Sequence, residues 1–296
     1  MEIQSSSFVH RLFDALLGNI SKPLGVKPLI SAVDLGACSP LQIRNSKSPL
    51  VNRCTLAQAA DATCLRFDAV DTEPWSSLFV ERGVATSALR RFRDGLPLLI
   101  VGDSRVLIDC LLGDASTDMP DLKRPVKLAH VGLQTLIESF RVKPPRGQQM
   151  ARQVPRSDNS AADAAANAAL DNGPFMEVML NETATFITEL SRPGTDNIGL
   201  LFSFDGAARG NPGKSSYGVC AWWGHFNHDG FDPKGLLLWK GARLGTSTNN
   251  IAEAHGMASS LKICVRFYCW VIEQTSELAQ HSMLQECEFK RGRTGM

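Results

Sequence analysis

Two acidic residues in the second half of the chain stand where carboxylates could act together on a metal ion. Asp205 follows the run 200–204, which is apolar except for Ser203, and precedes a segment, 206–213, that is rich in glycine and contains a proline. Glu253 follows Thr248-Asn249-Asn250, which is typical of a helix N-terminus. Carboxylate oxygens are the ligands that Mg²⁺ prefers. We therefore expect a strand-end carboxylate and a first-turn helical carboxylate.

The elements around these two acids are predicted to be strands of a meander. Gly206, Gly210 and Pro212 have turn chemistry, so we expect the first strand to end at Asp205 and the chain to double back. Two further strands are predicted at 217–223 and 235–244.

A third candidate carboxylate lies in the first half of the chain. Residues 98–101 are all apolar, which predicts a strand of the parallel type that is buried on both faces. Gly102 ends this strand, Asp103 lies at its tip, and Ser104 begins a helix that ends near Gly113.

A basic segment follows, without a single acid between its first and last cations. Residues 153–156 are interpreted as a short edge strand and 157–170 as an alanine-rich helix. Asp163 lies near the start of that helix, where an acid is also favoured by the helix dipole. The cations of the segment are Arg141, Lys143, Arg146, Arg152 and Arg156.

These motifs resemble those of the ribonuclease H family, type 1. The sequences FDGAARGNPG (204–213) and TNNIAE (248–253) resemble its first two motifs, and GDS (102–104) resembles its third. Arg156, Asn159 and Asp163 stand in the positions of its fourth. The resemblance implies an α/β fold, a five-stranded mixed sheet with helices on both faces. It also implies Mg²⁺- or Mn²⁺-dependent endonucleolytic hydrolysis of the RNA strand of RNA–DNA hybrids.

The same resemblance assigns roles to individual residues. The implied metal ligands are Asp205, Glu253, Asp103 and Asp163, and the implied catalytic set adds Glu81 and Asp34. Contacts with nucleic acid are expected from Gly206, Asn211, Asn250, Arg156, Asn159, Arg141, Lys143 and Arg146.

The order of the motifs leaves two assemblies open. In a tandem arrangement, 28–172 is one copy with a decayed first half, in which Asp34 and Glu81 complete the site of Asp103. In a permuted arrangement, Asp205 and Glu253 complement Asp103 and Asp163. Because neighbours in sequence usually pack together, the tandem arrangement is preferred. Its predicted boundaries are an N-terminal helix or flexible start (1–27), copy one (28–172), a linker (173–197), a truncated copy two (198–270) and a tail (271–296).

The bulk properties restrict the class of protein. A net charge of +1 over 296 residues gives no global attraction to nucleic acid, so a basic footprint has to be local. No apolar run approaches 18 residues, and eight cysteines without a C-x-x-C pair suggest an intracellular protein with reduced thiols. A nucleic-acid partner is expected, and neither a membrane nor a protein partner is indicated. Because no contiguous copy carries every motif, a catalytically inactive nucleic-acid-binding module, or a retroelement-derived fragment, is the alternative.

Overall fold

The structure, a computed structural model, describes the backbone of residues 82–293 and the side chains of 87–179 and 181–272. The predicted N-terminal segment 1–27, Asp34 and Glu81 lie outside the described residues. Among the described helices, none is long and apolar enough to cross a membrane.

The described residues form an α/β fold around one open, mixed sheet of six strands, where five were expected. Across the sheet the strand order is β2-β1-β4-β5-β6-β3. The two pairings of β1, with β2 and with β4, are parallel, and the other three are antiparallel. The strands are β1 (Leu98–Gly102), β2 (Ala151–Gln153), β3 (Phe175–Val178), β4 (Ile198–Gly210), β5 (Gly213–Asn227) and β6 (Gly230–Ser247).

The apolar strand β1 lies inside the sheet, with a neighbouring strand on each side and both of its faces covered. All five of its residues are buried. Leu98 and Ile100 belong to one core cluster, whereas Leu99 and Val101 belong to another, as the alternation of side chains along a strand requires. The predicted buried parallel strand is confirmed.

The meander β4–β6 is also present, but its first turn lies further along the chain than expected. β4 continues beyond Asp205 and stays paired with β5 as far as Gly210↔Gly213. The prediction that Gly206 ends the strand is wrong, because a glycine without a positive φ can remain extended within a strand. Gly210, with φ 95°, is the residue that turns the chain.

Within residues 82–293, six α-helices and one 3₁₀ turn accompany these strands. Gly95 and Gly113 each have φ 84°, and they follow α1 and α2. The predicted end of a helix near Gly113 is confirmed. The helices are α1 (Arg82–Asp94), α2 (Arg105–Leu112), α3 (Pro120–Phe140), α4 (Ser160–Asn172), α5 (Leu180–Ser191) and α6 (Asn249–Arg293), and the 3₁₀ turn is Arg156–Asn159.

Helices cover both faces of the sheet. The alanine-rich α4 packs on β4, β5 and β6. It comes close because Gly218 has no β-carbon: one built there would lie 2.2 Å from the carbonyl oxygen of Ala162. On the opposite face α6 packs on β4 and β5, and α1 and α3 pack on α6. The sheet therefore has its main core under α6 and a smaller one under α4.

Several predicted domain boundaries differ from this architecture. The expected linker, 173–197, contains β3 and α5, and α6 runs through residue 271 without a break. Strands from both expected copies lie in the same sheet. The expectation of a separate second copy is therefore wrong for the described residues, because β1 and β4 pair directly with each other.

Candidate metal centre

The two strand carboxylates are brought together by parallel pairing. β1 and β4 are in register from Leu98↔Leu200 to Val101↔Ser203. Asp103 and Asp205 each come two residues after the last pair, so they lie at the same height on neighbouring strands. The chain leaves the sheet after β1, whereas β4 continues past Asp205.

The third carboxylate is placed by close contact between β4 and the start of α6. A β-carbon built on Gly206 would lie 2.2 Å from the backbone nitrogen of Glu253, so only glycine permits this approach. Thr248 caps the helix as predicted, since its hydroxyl accepts a hydrogen bond from Ile251 N at 3.4 Å. Glu253 is the fifth residue of α6, so it lies just beyond the first turn, where the sequence predicted it. It lies directly against the residue that follows Asp205.

Asp103, Asp205 and Glu253 together form a candidate metal site. One carboxylate oxygen from each lies within 4.8 Å of the other two. Asp205 is 2% exposed and Glu253 is 9% exposed, whereas Asp103 is partly open to solvent. These three carboxylates could hold a metal ion. We call them the carboxylate cluster.

The hydrogen bonds of Asp205 leave one oxygen for a ligand. Its Oδ1 accepts a hydrogen bond from Gly206 N at 2.8 Å. Its Oδ2 is buried and has no hydrogen-bond partner among the described residues. A buried, unpaired carboxylate oxygen is costly unless a cation or a proton binds it. This oxygen, with the all-oxygen donor set around it, fits a hard divalent cation.

The pKa values of the clustered carboxyl groups also indicate that a cation would bind there. Burial, together with the charges of Asp103, Asp163 and Glu253, raises the pKa of Asp205 to about 8, although the Gly206 N–H acts in the opposite direction. Burial and Asp103 also raise the pKa of Glu253. A bound cation would relieve the repulsion that causes both shifts.

Two neighbouring residues hold Glu253 in place. The Asn249 side-chain amide donates a hydrogen bond to Glu253 Oε1 at 2.6 Å. The hydroxyl of Ser104 donates another, which lowers the pKa of Glu253. Neither residue is among the site residues predicted from the sequence. The signal for Asn249 was its position four residues before Glu253 on a helix, which puts the two side chains on one face.

Asp163 lies near the cluster without joining it in this arrangement. It stands in the first turn of α4, and its charge contributes to the raised pKa of Asp205. Its Oδ1 forms an ion pair with Arg156 Nη2 at 2.9 Å. The structure therefore gives Asp163 a cationic partner from the protein itself.

Asn159 has a structural place, and the prediction that it contacts nucleic acid is wrong. It is 1% exposed, and its side-chain amide donates a hydrogen bond to the carbonyl oxygen of Phe204 at 2.9 Å. A side chain this deeply buried cannot reach a ligand in solvent. It ties the start of α4 to the residue before Asp205. Gly206 is buried as well, against the first turn of α6.

The predicted asparagines Asn211 and Asn250 are exposed at the edge of the site. Asn211 stands in the turn between β4 and β5, and its side-chain oxygen accepts a hydrogen bond from Asn249 N at 3.3 Å. Asn250 lies in the first turn of α6. Both are open to solvent close to Glu253.

The cations at the start of the basic segment lie elsewhere. Arg141, Lys143 and Arg146 are exposed. Lys143 forms a bridge with Pro97, ahead of β1, and its carbonyl oxygen accepts a hydrogen bond from Leu98 N at 2.9 Å. Six residues of extended chain, about 20 Å, separate Pro97 from Asp103. Of the segment's predicted binding cations, Arg156 is the one placed at the carboxylate cluster.

The strand that carries Asp205 also decides between the two assemblies. Among the described residues, β1 has β2 on one side and β4 on the other, so the neighbouring strand that supplies a carboxylate is the one that carries Asp205. The preference for the tandem arrangement is therefore wrong. Asp34 and Glu81 lie outside the described residues.

In comparisons with known proteins, no family model, no curated protein and no solved structure matches this chain.

Proposed function

We propose that the described residues form a ribonuclease H-like domain whose two halves occur in reversed chain order. The segment with the DGAARGNPG and TNNIAE motifs supplies β4, β5, β6 and the start of α6. The segment that precedes it in the chain supplies β1, β2 and α4. The parallel pairing of β1 with β4 supports this interpretation. In this view β3 is an additional strand at the β6 edge.

We propose further that this domain is a metal-dependent endonuclease that hydrolyses the RNA strand of RNA–DNA hybrids. The observation that carries the proposal is the carboxylate cluster, in which three ligand oxygens lie within 4.8 Å of one another. Asp103, Asp205 and Glu253 would hold Mg²⁺ or Mn²⁺. Such an ion lowers the pKa of bound water and stabilises the charge on a leaving oxygen of a phosphodiester.

The protein's own residues organise this site before any substrate arrives. The Gly206 N–H fixes one oxygen of Asp205 and leaves the other for the ion. Asn249 and Ser104 orient Glu253 through hydrogen bonds. The guanidinium of Arg156 is largely exposed at the rim, where it can meet a phosphate group.

The preference for RNA in the cleaved strand has to come from the 2′-hydroxyl. Asn211 and Asn250 are exposed beside Glu253, and their amides both donate and accept hydrogen bonds. They are the side chains that we propose for this recognition. The RNA–DNA hybrid is the proposed partner.

The test is a cleavage assay with the full chain on an end-labelled RNA–DNA hybrid, with DNA and RNA duplexes as reference substrates. We expect cleavage of the RNA strand only when Mg²⁺ or Mn²⁺ is present. Asp205→Asn should reduce the rate at least about 100-fold, because metal binding contributes several kcal/mol of transition-state stabilisation.

Two variants serve as controls for that substitution. Asp232→Asn changes a half-exposed acid of β6 in the same way and should leave the rate unchanged. Asp34→Asn should also keep the activity, whereas the tandem arrangement would make it inactive. Hybrid binding without cleavage at any Mg²⁺ or Mn²⁺ concentration would overturn the proposal and favour an inactive nucleic-acid-binding module.

A further inference from the structure

Asp163, the fourth of the predicted metal ligands, forms an ion pair with an arginine of the same chain. Arg156 Nη2 lies 2.9 Å from Asp163 Oδ1. Arg156 begins the 3₁₀ turn after β2, and Asp163 stands in the first turn of α4. Asn159, between them, is anchored by its buried hydrogen bond to the carbonyl oxygen of Phe204. The fold therefore sets both members of the pair relative to Asp205.

Arg156 also interacts electrostatically with the carboxylate cluster, in addition to its ion pair with Asp163. The carboxylates of Asp163, Asp205 and Asp103 all raise the pKa of Arg156, and Arg156 in turn lowers the pKa of Glu253. Its positive charge therefore offsets part of the repulsion among the acids. A divalent cation bound near Asp163 would have the same effect, so the two cations compete for one region of negative charge.

We propose that Arg156 is an internal cation that occupies Asp163, so that a second divalent ion binds there only when Arg156 has left. This inference rests on the proposed function, in which the first ion is held by Asp103, Asp205 and Glu253. It concerns the stoichiometry and the order of cation binding at that same site.

The ion pair between Arg156 and Asp163 is of a kind that another cation can replace. The Arg156 side chain is 76% exposed and that of Asp163 is 29% exposed, and exposed ion pairs contribute little to stability. A released guanidinium is well suited to bind a phosphate group through two parallel hydrogen bonds. Nucleic acid that draws Arg156 away would therefore favour the second ion, and by linkage the second ion would favour nucleic acid.

The test measures Mn²⁺ binding to the full chain by isothermal titration calorimetry, without nucleic acid, at constant ionic strength. For the wild type we expect one stronger and one weaker Mn²⁺ site. Arg156→Gln should tighten the weaker site by up to about 5-fold, the upper range for an exposed ion pair. Arg156→Lys keeps the positive charge and should stay closer to the wild type.

A second background shows whether the effect acts through Asp163. In Asp163→Asn the weaker site should be lost, and adding Arg156→Gln should not restore it. An Arg156→Gln protein whose weaker site is unchanged, or one that gains the same affinity in the Asp163→Asn background, would overturn the inference. Circular dichroism of each variant confirms that it is folded.

Failure of the inference can be told apart from failure of the proposed function. If the stronger Mn²⁺ site is present and is removed by Asp205→Asn, the metal centre stands and only the role of Arg156 is in question. If no Mn²⁺ binds to the wild type, both are overturned.

Discussion

Asp205 makes the stability of the metal-free protein depend strongly on pH. Its pKa is raised from an ordinary value of 3.8 to about 8 by burial and by neighbouring carboxylates. Between these values the folded protein holds a proton that the unfolded chain has released. The unfolded state then binds fewer protons, so the free energy of unfolding falls as the pH rises through this window.

The expected size of the effect follows from the shift. Each pH unit within the window costs about 1.36 kcal/mol. From pH 5 to pH 8 the metal-free wild type should therefore lose about 4 kcal/mol of its free energy of unfolding through this one carboxyl group. Asp205→Asn removes the titrating group but keeps its shape, so the variant should lack this loss and be the more stable protein at pH 8.

The assay is urea unfolding at pH 5, 6, 7 and 8 in the presence of a chelator. Asp232→Asn, a half-exposed acid of β6, is the matched control and should follow the wild-type profile. A divalent cation at 100 times its dissociation constant should restore about 2.7 kcal/mol to the wild type at pH 8. It should restore little to Asp205→Asn. Parallel pH profiles for the wild type and Asp205→Asn would refute the reasoning.

Two further substitutions test how the site is assembled. Gly206→Ala places a β-carbon against the first turn of α6, so urea unfolding should show a loss of about 1–3 kcal/mol, with weaker Mn²⁺ binding. An unchanged urea midpoint would contradict the close contact. Ser104→Ala removes a hydrogen bond that lowers the pKa of Glu253, so calorimetry should show about 2- to 10-fold weaker Mn²⁺ binding. Wild-type affinity in this variant would show that the hydroxyl does not orient Glu253.

Local features of the fold could be predicted from the sequence because they depend on neighbouring residues. The apolar run of β1 fixes its burial on both faces, and Gly113 fixes where α2 ends. The cap at Thr248 fixes the start of α6 and therefore puts Glu253 near that end of the helix, one residue beyond the first turn. These features needed no knowledge of distant contacts.

The composition of the site depends on distant contacts, and there the sequence was ambiguous. Nothing in the residues of β1 indicates whether its parallel neighbour carries Asp34 or Asp205, because parallel pairing requires only an apolar strand. Gly206 was ambiguous for a similar reason. A glycine beside a carboxylate is compatible with a turn, but it is equally compatible with a strand against which a helix packs. The distinction lies in the position of α6, which is 40 or more residues away in the chain.

The segment expected to be a linker explains how the two halves come to share one sheet. α4 ends on one face, and Gly173, with φ 99°, leads the chain to β3 at the β6 edge. α5 then packs against α1 and β6, and its Phe186, Ile187 and Leu190 join the core on the opposite face. From there the chain enters β4 at Ile198, between β1 and β5. A flexible tether would allow this pairing but would not favour it. Because β3 and α5 are themselves packed, they hold β4 next to β1 and so place Asp205 beside Asp103.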